Sequence, residues 1–499
     1  MALLLLLLLP ALAAVLVPLL PERQTLLRRV CLAALVPQLL VILLQLGRDP
    51  QELHQVWLPR IGLSLDLGLD GLSTPLTTLI ILITLVTVLA TPSDQPRSRL
   101  FFSLLLATDF GLVGAVLARN ALLFLLAFEL VLIPTTLLLA VWGGPSRARA
   151  AIQYLMYGAV SGFSLLGAVL ALGWLHGNGS VSFAYADLAS LQLSPVTGRW
   201  VLALLLLSFG LKLPVVPLHG WQPLAYSQAS SPVAMMLSGS VSILGAYGLM
   251  RFAIGFLPQE WILWSPWIAV VGAVTAVYGA LNALAQSDMR RLVAYGSLGH
   301  MGLLLLALAS ATPLSLQGVV AQLLAHGMIA ALLFHLVGLI DRKTGSTQIP
   351  DLAGLLNPYR GLPFTLGLFL LALMASAGIP GLSGFVPEFL MFEASWTPFP
   401  IPTLVCLIAS GLTAVYAVRL FNRVGFGRLD NDRVDYPTTV WRERFPAVIL
   451  AALVVVGGLW PGLLLGWSES ATADLALRHE PFTSLVANAP SESPAPIPS

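Results

Sequence analysis

Six ionisable side chains stand inside apolar stretches that should not hold charge: Asp109, Glu129, Lys212, His300, His326 and Glu388. Carboxylates, an amine and imidazoles each take up and give back a proton. At close quarters in a low-dielectric interior they can pass one along. Lys212 is the most unusual of them. The chain has only two lysines, and this one lies in "LLLLSFGLKLPVVPLHGW" (203–220), just ahead of Pro214, Pro217 and His219. Singly, each residue has a plainer role. A membrane histidine is as often a hydrogen bonder between helices as a relay, and Lys212 with Glu129 could be a salt bridge locking two helices. Six such groups at a common depth fit a proton path better, because buried charge in a membrane is costly and usually marks an ion route.

The surrounding chain has to place them. Of 499 residues, 57% are hydrophobic and only 10% charged, a balance foreign to soluble domains of this size. The fold class is therefore all-α and polytopic, with about 14 transmembrane helices. Stretches near the ~20 residues that a bilayer requires lie at 2–20, 30–46, 72–91, 100–118, 120–142, 151–175, 199–224, 232–256, 262–286, 292–311, 316–340, 362–397, 399–421 and 445–467. The first lacks a basic leading region and reads as a span, not a cleaved signal. Segments 47–71 and 422–444 are predicted as the longer loops, and the tail "NAPSESPAPIPS" as disordered. A net charge of +2 suggests no nucleic-acid partner. Cys31 and Cys406 lie in apolar runs without metal-ligand spacing, so no metal site is expected. With the N-terminus outside, 18 basic residues fall on one side and 6 on the other, Lys212 completing the 25. That asymmetry puts both termini on the periplasmic or lumenal side.

Depth follows from spacing. Lys212 is 13 residues beyond Arg199, and Glu129 ten beyond Arg119, about 20 and 15 Å at the helical rise. Asp109, His300 and His326 reach similar depth from the other side. His335, nine positions beyond His326, faces the opposite way and is read as structural. Two spans carry breaks beside an ionisable residue: Lys212 before Pro214 and Pro217, and Glu388 after "GIPGLSGFVP" (378–387). Proline frees backbone groups that must be re-satisfied by protein or water at this depth. The breaks are five spans apart, so spans 4–8 and 9–13 are predicted to be two inverted five-helix repeats, as in transporters. The predicted units are 1–99 (spans 1–3), 100–256, 257–421, and 422–499 with the last span and tail.

Several motifs in order carry a resemblance: "FELVLIPTTLLLAVWGG" (128–144), "KLPVVPLHGW" (212–221), "LGAYGLMRF" (244–252), "AQSDMRRLVAYGSLGHMG" (285–302), "QLLAHGMIAALLFHLVG" (322–338) and "GIPGLSGFVPEFLMF" (378–392). Over roughly residues 70–470 the chain resembles the antiporter-like, proton-pumping subunits of respiratory complex I, of the chain-4 type. The resemblance implies a fourteen-helix fold in a membrane arm, with neighbouring antiporter-like subunits and lipid as partners. It implies that Glu129 and Lys212 form a coupling pair, that His300 and His326 carry a central relay, and that Glu388 is the terminal carboxylate. It also implies no cofactor in this chain, quinone and iron–sulfur centres elsewhere in the complex, and a bacterial inner membrane or cyanobacterial thylakoid.

The sequence departs from the family in span 8, where Ile243 in "SGSVSILGAYGLMRF" replaces a usual lysine. In "WQPLAYSQAS", Leu224 and Tyr226 replace a usual acid and histidine. Ser238, Ser240 and Ser242 are expected to hold water in place of the missing charge. Ser238 and Ser242, with His219 and Asp109, are candidate path residues. These departures resemble cyanobacterial paralogues linked to carbon dioxide uptake. The alternatives are a subunit of a sodium/proton antiporter and a structural membrane subunit that does not pump.

Overall fold

The computed structural model describes residues 1–46, 50–175, 181–428 and 436–477. Arg48, Arg433, Arg478 and the tail predicted to be disordered lie outside the described residues. Long apolar runs satisfy their backbone groups internally as helices, which is what a bilayer core demands. Helices α1 (Ala2–Leu16) and α2 (Gln24–Leu43) come first. A hairpin follows, of β1 (Gln51–Leu58) and β2 (Leu63–Leu69), and then α3 (Ser73–Ala90), α4 (Ser98–Leu117), α5 (Ala121–Trp142) and α6 (Arg147–Trp174). A short α7 (Tyr185–Ala189) leads to α8 (Pro195–Lys212), which stops at the lysine, and to α9 (Gln222–Gln228) beyond the first break. The next span runs as α10 (Ser231–Met236), a π turn, α11 (Ile243–Gly248) and a second π turn ending at Ile254. Then come α12 (Pro258–Leu284), α13 (Met289–Ser310), α14 (Pro313–Thr344), α15 (Pro363–Ser376), α16 (Phe385–Trp396), α17 (Pro400–Gly425), α18 (Trp441–Leu459), α19 (Gly462–Leu465) and α20 (Glu469–Leu477).

Among the described residues, twelve helical stretches are long and apolar enough to cross a membrane. The other two predicted spans take other forms. The stretch 362–397 is split into α15 and α16 by the glycine-rich break, where Gly378 and Gly381 have φ of +67° and +89°. The last is α18, which opens on the polar turn Trp441-Arg442-Glu443-Arg444 and ends at Leu459, just before Pro461.

Segment 47–71 is not the plain loop expected. The alternation of Leu63, Leu65, Leu67 and Leu69 with smaller or polar residues is a strand period, and β1 pairs antiparallel with β2, Gln51 opposite Leu69. The hairpin leads to a charged knot at the ends of the spans. Asp70 accepts from Arg119 at 2.8 Å and also from Arg251. Burial alone would raise the Asp70 carboxyl, but the Arg251 and Arg119 guanidiniums outweigh it and hold it well below the usual carboxylate range. The knot ties the hairpin, the start of α5 and the end of the 231–254 span together.

The central apolar stretches of α14 and of the 231–254 span are fully buried, whereas α1 and α17 turn apolar faces outward through Leu12, Ile401 and Ile408. Close approach at the centre depends on glycine. A Cβ on Gly245 would lie 2.5 Å from the Leu213 amide nitrogen, and one on Gly327 of α14 would lie 2.7 Å from the Gly239 carbonyl oxygen. The 231–254 span is thereby wedged between the break after Lys212 and the helix that carries His326.

Candidate proton-transfer site

The break in the second half creates two helix ends inside the bundle. Glu388 sits in the first turn of α16, where unpaired amides favour an anion. Ser376 closes α15 on the other side of the break. Both converge on His300 of α13, whose Nδ1 is 3.2 Å from Glu388 Oε1 and whose Nε2 is 3.1 Å from Ser376 Oγ. Ser410 of α17 donates to Glu388 Oε2 at 3.1 Å. On the other flank, the ring of His326 lies 5.4 Å from that of His300 and its Nε2 is 2.9 Å from Ser297 Oγ. A cavity of about 20 Å³ lies against Ser297, His300, His326 and Ser376. That is room for one water, and its walls supply the polar partners a buried water needs. A smaller one of about 10 Å³ is lined by His300, Glu388 and Ser410. Ser297, His326, His300, Glu388 and Ser410 thus form a nearly continuous polar string.

Lys212 occupies the mirror situation in the first half. It is the last residue of α8, so its ammonium sits at the carbonyl end of a helix that stops inside the bundle, an end that favours a cation. Trp221 beyond the break donates to the Leu211 carbonyl at 2.8 Å and caps that end. Lys212 is 4% exposed. Its Nζ lies 4.8 Å from the centre of the Phe128 ring and 5.8 Å from that of Tyr154, so aromatic faces hold the charge. Glu129 follows Phe128 on α5, is half-buried, and lies over Gly162 of α6. Its field acts on Lys212, yet among the described residues no ion pair joins the two. The expected pair is therefore present as neighbours, apart from one another.

Between Lys212 and His326 stands the 231–254 span. Ser238 donates to the Ala234 carbonyl at 2.7 Å and Ser242 to the Ser238 carbonyl at 3.0 Å, while Ser240 Oγ is buried without a partner. Placing Ser238 and Ser242 on one face, with Ile243 about 100° away, assumes an α-helical period. The π turn over Leu237–Val241 widens the turn and breaks that assumption. Ile243 is 1% exposed. Gln222 reaches the same region, donating to the Ala294 carbonyl of α13 at 2.9 Å and leaving Oε1 buried and unpartnered. His219 packs against α12 instead. Its ring packs on Tyr278 of α12 at 4.7 Å, with Nδ1 buried and unpartnered.

The remaining predicted positions separate cleanly. Asp109 lies among the N-terminal helices, 3.0 Å from Gln38, and not against Arg119 or the histidines. His335 contacts the Glu443 carbonyl at 3.0 Å, apart from His326. Sequence reasoning missed Ser297, Ser376, Ser410, Phe128 and Tyr154. Ser297 was within reach of it, three residues before His300 on one helical face. Phe128 and Ser410 carry no local signal, since their roles come from helices that meet only in the fold.

A bundle of apolar spans with two interrupted helices, a lysine ending one and a glutamate opening the other, defines an antiporter-like membrane subunit. The NADH:quinone oxidoreductase/Mrp antiporter transmembrane family matches residues 118–413, which enclose Glu129, Lys212, His300, His326 and Glu388. NAD(P)H-quinone oxidoreductase chain 4 2 of Synechococcus sp. (strain JA-3-3Ab) is 34% identical over 520 aligned positions, covering 96% of each chain. A chain of respiratory complex I from Thermus thermophilus with bound NADH superposes with TM-score 0.87 at 28% identity, over 96% of this chain and all of that one. A chain of the Mrp complex from Dietzia sp. DQ12-45-1b shares the fold, with TM-score 0.85 at 24% identity over 97% of this chain and 98% of that one. The chain belongs to the NADH:quinone oxidoreductase/Mrp antiporter transmembrane family.

Proposed function

We propose that this chain is a proton-translocating membrane subunit of a complex I-like NAD(P)H or ferredoxin–quinone oxidoreductase, and that Glu129, Lys212, His326, His300 and Glu388 carry its protons. The observation that carries the reading is the string of polar contacts from Ser297 through both histidines to Glu388 and Ser410, at the break that mirrors the one beside Lys212. Glu129 acts as the switch. When its carboxylate stands against Lys212, the ammonium is compensated. When it turns towards a neighbouring subunit, the ammonium is left in a low-dielectric site and gives up its proton. The proton passes the 231–254 span by water held at Ser238, Ser240, Ser242 and Gln222. It then reaches His326, His300 and Glu388 in turn.

Domain organisation follows the same reading. Residues 100–256 and 257–421 form the inverted repeats, each with one broken helix, after the appended spans of 1–99. The distribution of basic residues supports a periplasmic or lumenal side for both termini. The cyanobacterial relatives support a thylakoid or bacterial inner membrane, with other membrane-arm subunits as partners and quinone and iron–sulfur chemistry outside this chain. Affinity isolation of the chain from its native membrane tests the assignment. The expected result is co-purification of hydrophilic electron-input subunits and quinone reduction by the isolate. A complex of membrane subunits alone, exchanging sodium for protons without electron transfer, would overturn it in favour of an antiporter.

A further inference from the structure

The N-terminal helices hold a buried polar site that the proposed relay does not use. Asp109 of α4 and Gln38 of α2 are both 0% exposed. Gln38 Nε2 donates to the Leu6 carbonyl of α1 at 2.8 Å and to Asp109 Oδ2 at 3.0 Å. Both amide hydrogens are then used. Among the described residues, two oxygens remain without a hydrogen-bond partner, Gln38 Oε1 and Asp109 Oδ1, and they belong to the same contacting pair. The side chains that act on Asp109 are Gln38 and Thr84 of α3, both neutral. Arg119, the basic residue nearest in sequence on the outer side, is engaged with Asp70.

A carboxylate shut away from water with no cation is among the costliest buried groups, and it takes up a proton instead. Two orphaned acceptors in one pair lack one thing between them, a hydrogen. We propose that Asp109 and Gln38 form a proton-binding site, a closed carboxylic acid–amide pair. The Gln38 amide donates to Oδ2 and the proton bound on Asp109 Oδ1 is donated to Gln38 Oε1. One bound proton satisfies both orphaned oxygens and leaves no net charge. The pair joins α1 through Leu6, α2 through Gln38 and α4 through Asp109, and so latches the appended spans to the first repeat. α4 in turn rests on α5 where Gly111 meets Val131, two residues from Glu129. The proton is structural. It stays in place through turnover, and Asp109 is not a carrier in the path.

The test uses the complete complex containing this chain. Asp109→Asn keeps a neutral group that can close a ring with Gln38. It is expected to assemble at the wild-type level and to move protons at the wild-type ratio to electrons. Asp109→Leu, which cannot close the ring, is expected to lower the amount of assembled chain several-fold. The swap of Asp109→Asn with Gln38→Glu restores the acid–amide ring but leaves the Leu6 carbonyl without its donor, and is expected to assemble better than Asp109→Leu and below the wild type. Infrared spectra of complex with carbonyl-labelled aspartate should show a protonated-acid band that Asp109→Asn removes. The proposal is overturned if Asp109→Asn assembles but stops pumping, which would make Asp109 a carrier. It is equally overturned if Asp109→Asn fails to assemble, or if the label reports an ionised carboxylate.

Discussion

Lys212→Ala is expected to stop proton transfer through this subunit while leaving the complex assembled. The lysine supplies the one amine on the proposed path, at the end of α8 and against Phe128 and Tyr154. A positioned proton-transfer group contributes on the order of a hundredfold or more to rate, so loss of coupled pumping by this subunit should be at least of that size. No ion pair depends on Lys212 among the described residues, and its helix end keeps the Trp221 cap. Breaking a buried salt bridge costs about 3–5 kcal/mol, and that penalty is not expected here. Acidification of inverted membrane vesicles during electron flow, read beside immunodetection of the chain, separates the two outcomes. Loss of protein in proportion to lost pumping would restore the reading of Lys212 as a structural lock.

Glu388→Gln is expected to be nearly as severe, and for a different reason. The amide keeps the size of the side chain and can still accept from Ser410, so packing at the break survives. It cannot take up a proton from His300, whose Nδ1 stands 3.2 Å from Glu388 Oε1. Protons should reach the histidine pair and stop there. Vesicle acidification should fall by about the same order as for Lys212→Ala, with the chain present at its normal level. Retained pumping would place the outlet elsewhere on the cluster, for instance through Ser376.

Most of the fold was legible because a bilayer imposes its own rules. Length of apolar run marks a span, and a proline or glycine cluster beside a charge marks a break. Both broken helices fall where the sequence put them, with Lys212 and Glu388 at their ends. The hairpin carries no apolar run of span length, only a seven-residue alternation such as "LSLDLGL". The π turns were hidden for a physical reason. Nothing in "LSGSV" states that its carbonyls will bond one residue further along, where Gly239 passes close to Gly327. The separation of Glu129 from Lys212 was likewise out of reach, because sequence shows that two charges can meet and not which of two positions they hold. Ile243 stands where the family resemblance implies a lysine. Only the fold shows that the span around it is packed against both halves of the path.

The claim that protons leave from Lys212 is tested most directly by the number of protons moved per electron in the purified complex carrying Lys212→Arg. Arginine keeps the positive charge beside Phe128 and Glu129 but does not release its proton at accessible pH. The account predicts that electron transfer to quinone continues or slows, while the proton-to-electron ratio falls by this subunit's whole share. An unchanged ratio with Lys212→Arg would contradict it, because a charge that is never given up could then serve as well as one that is.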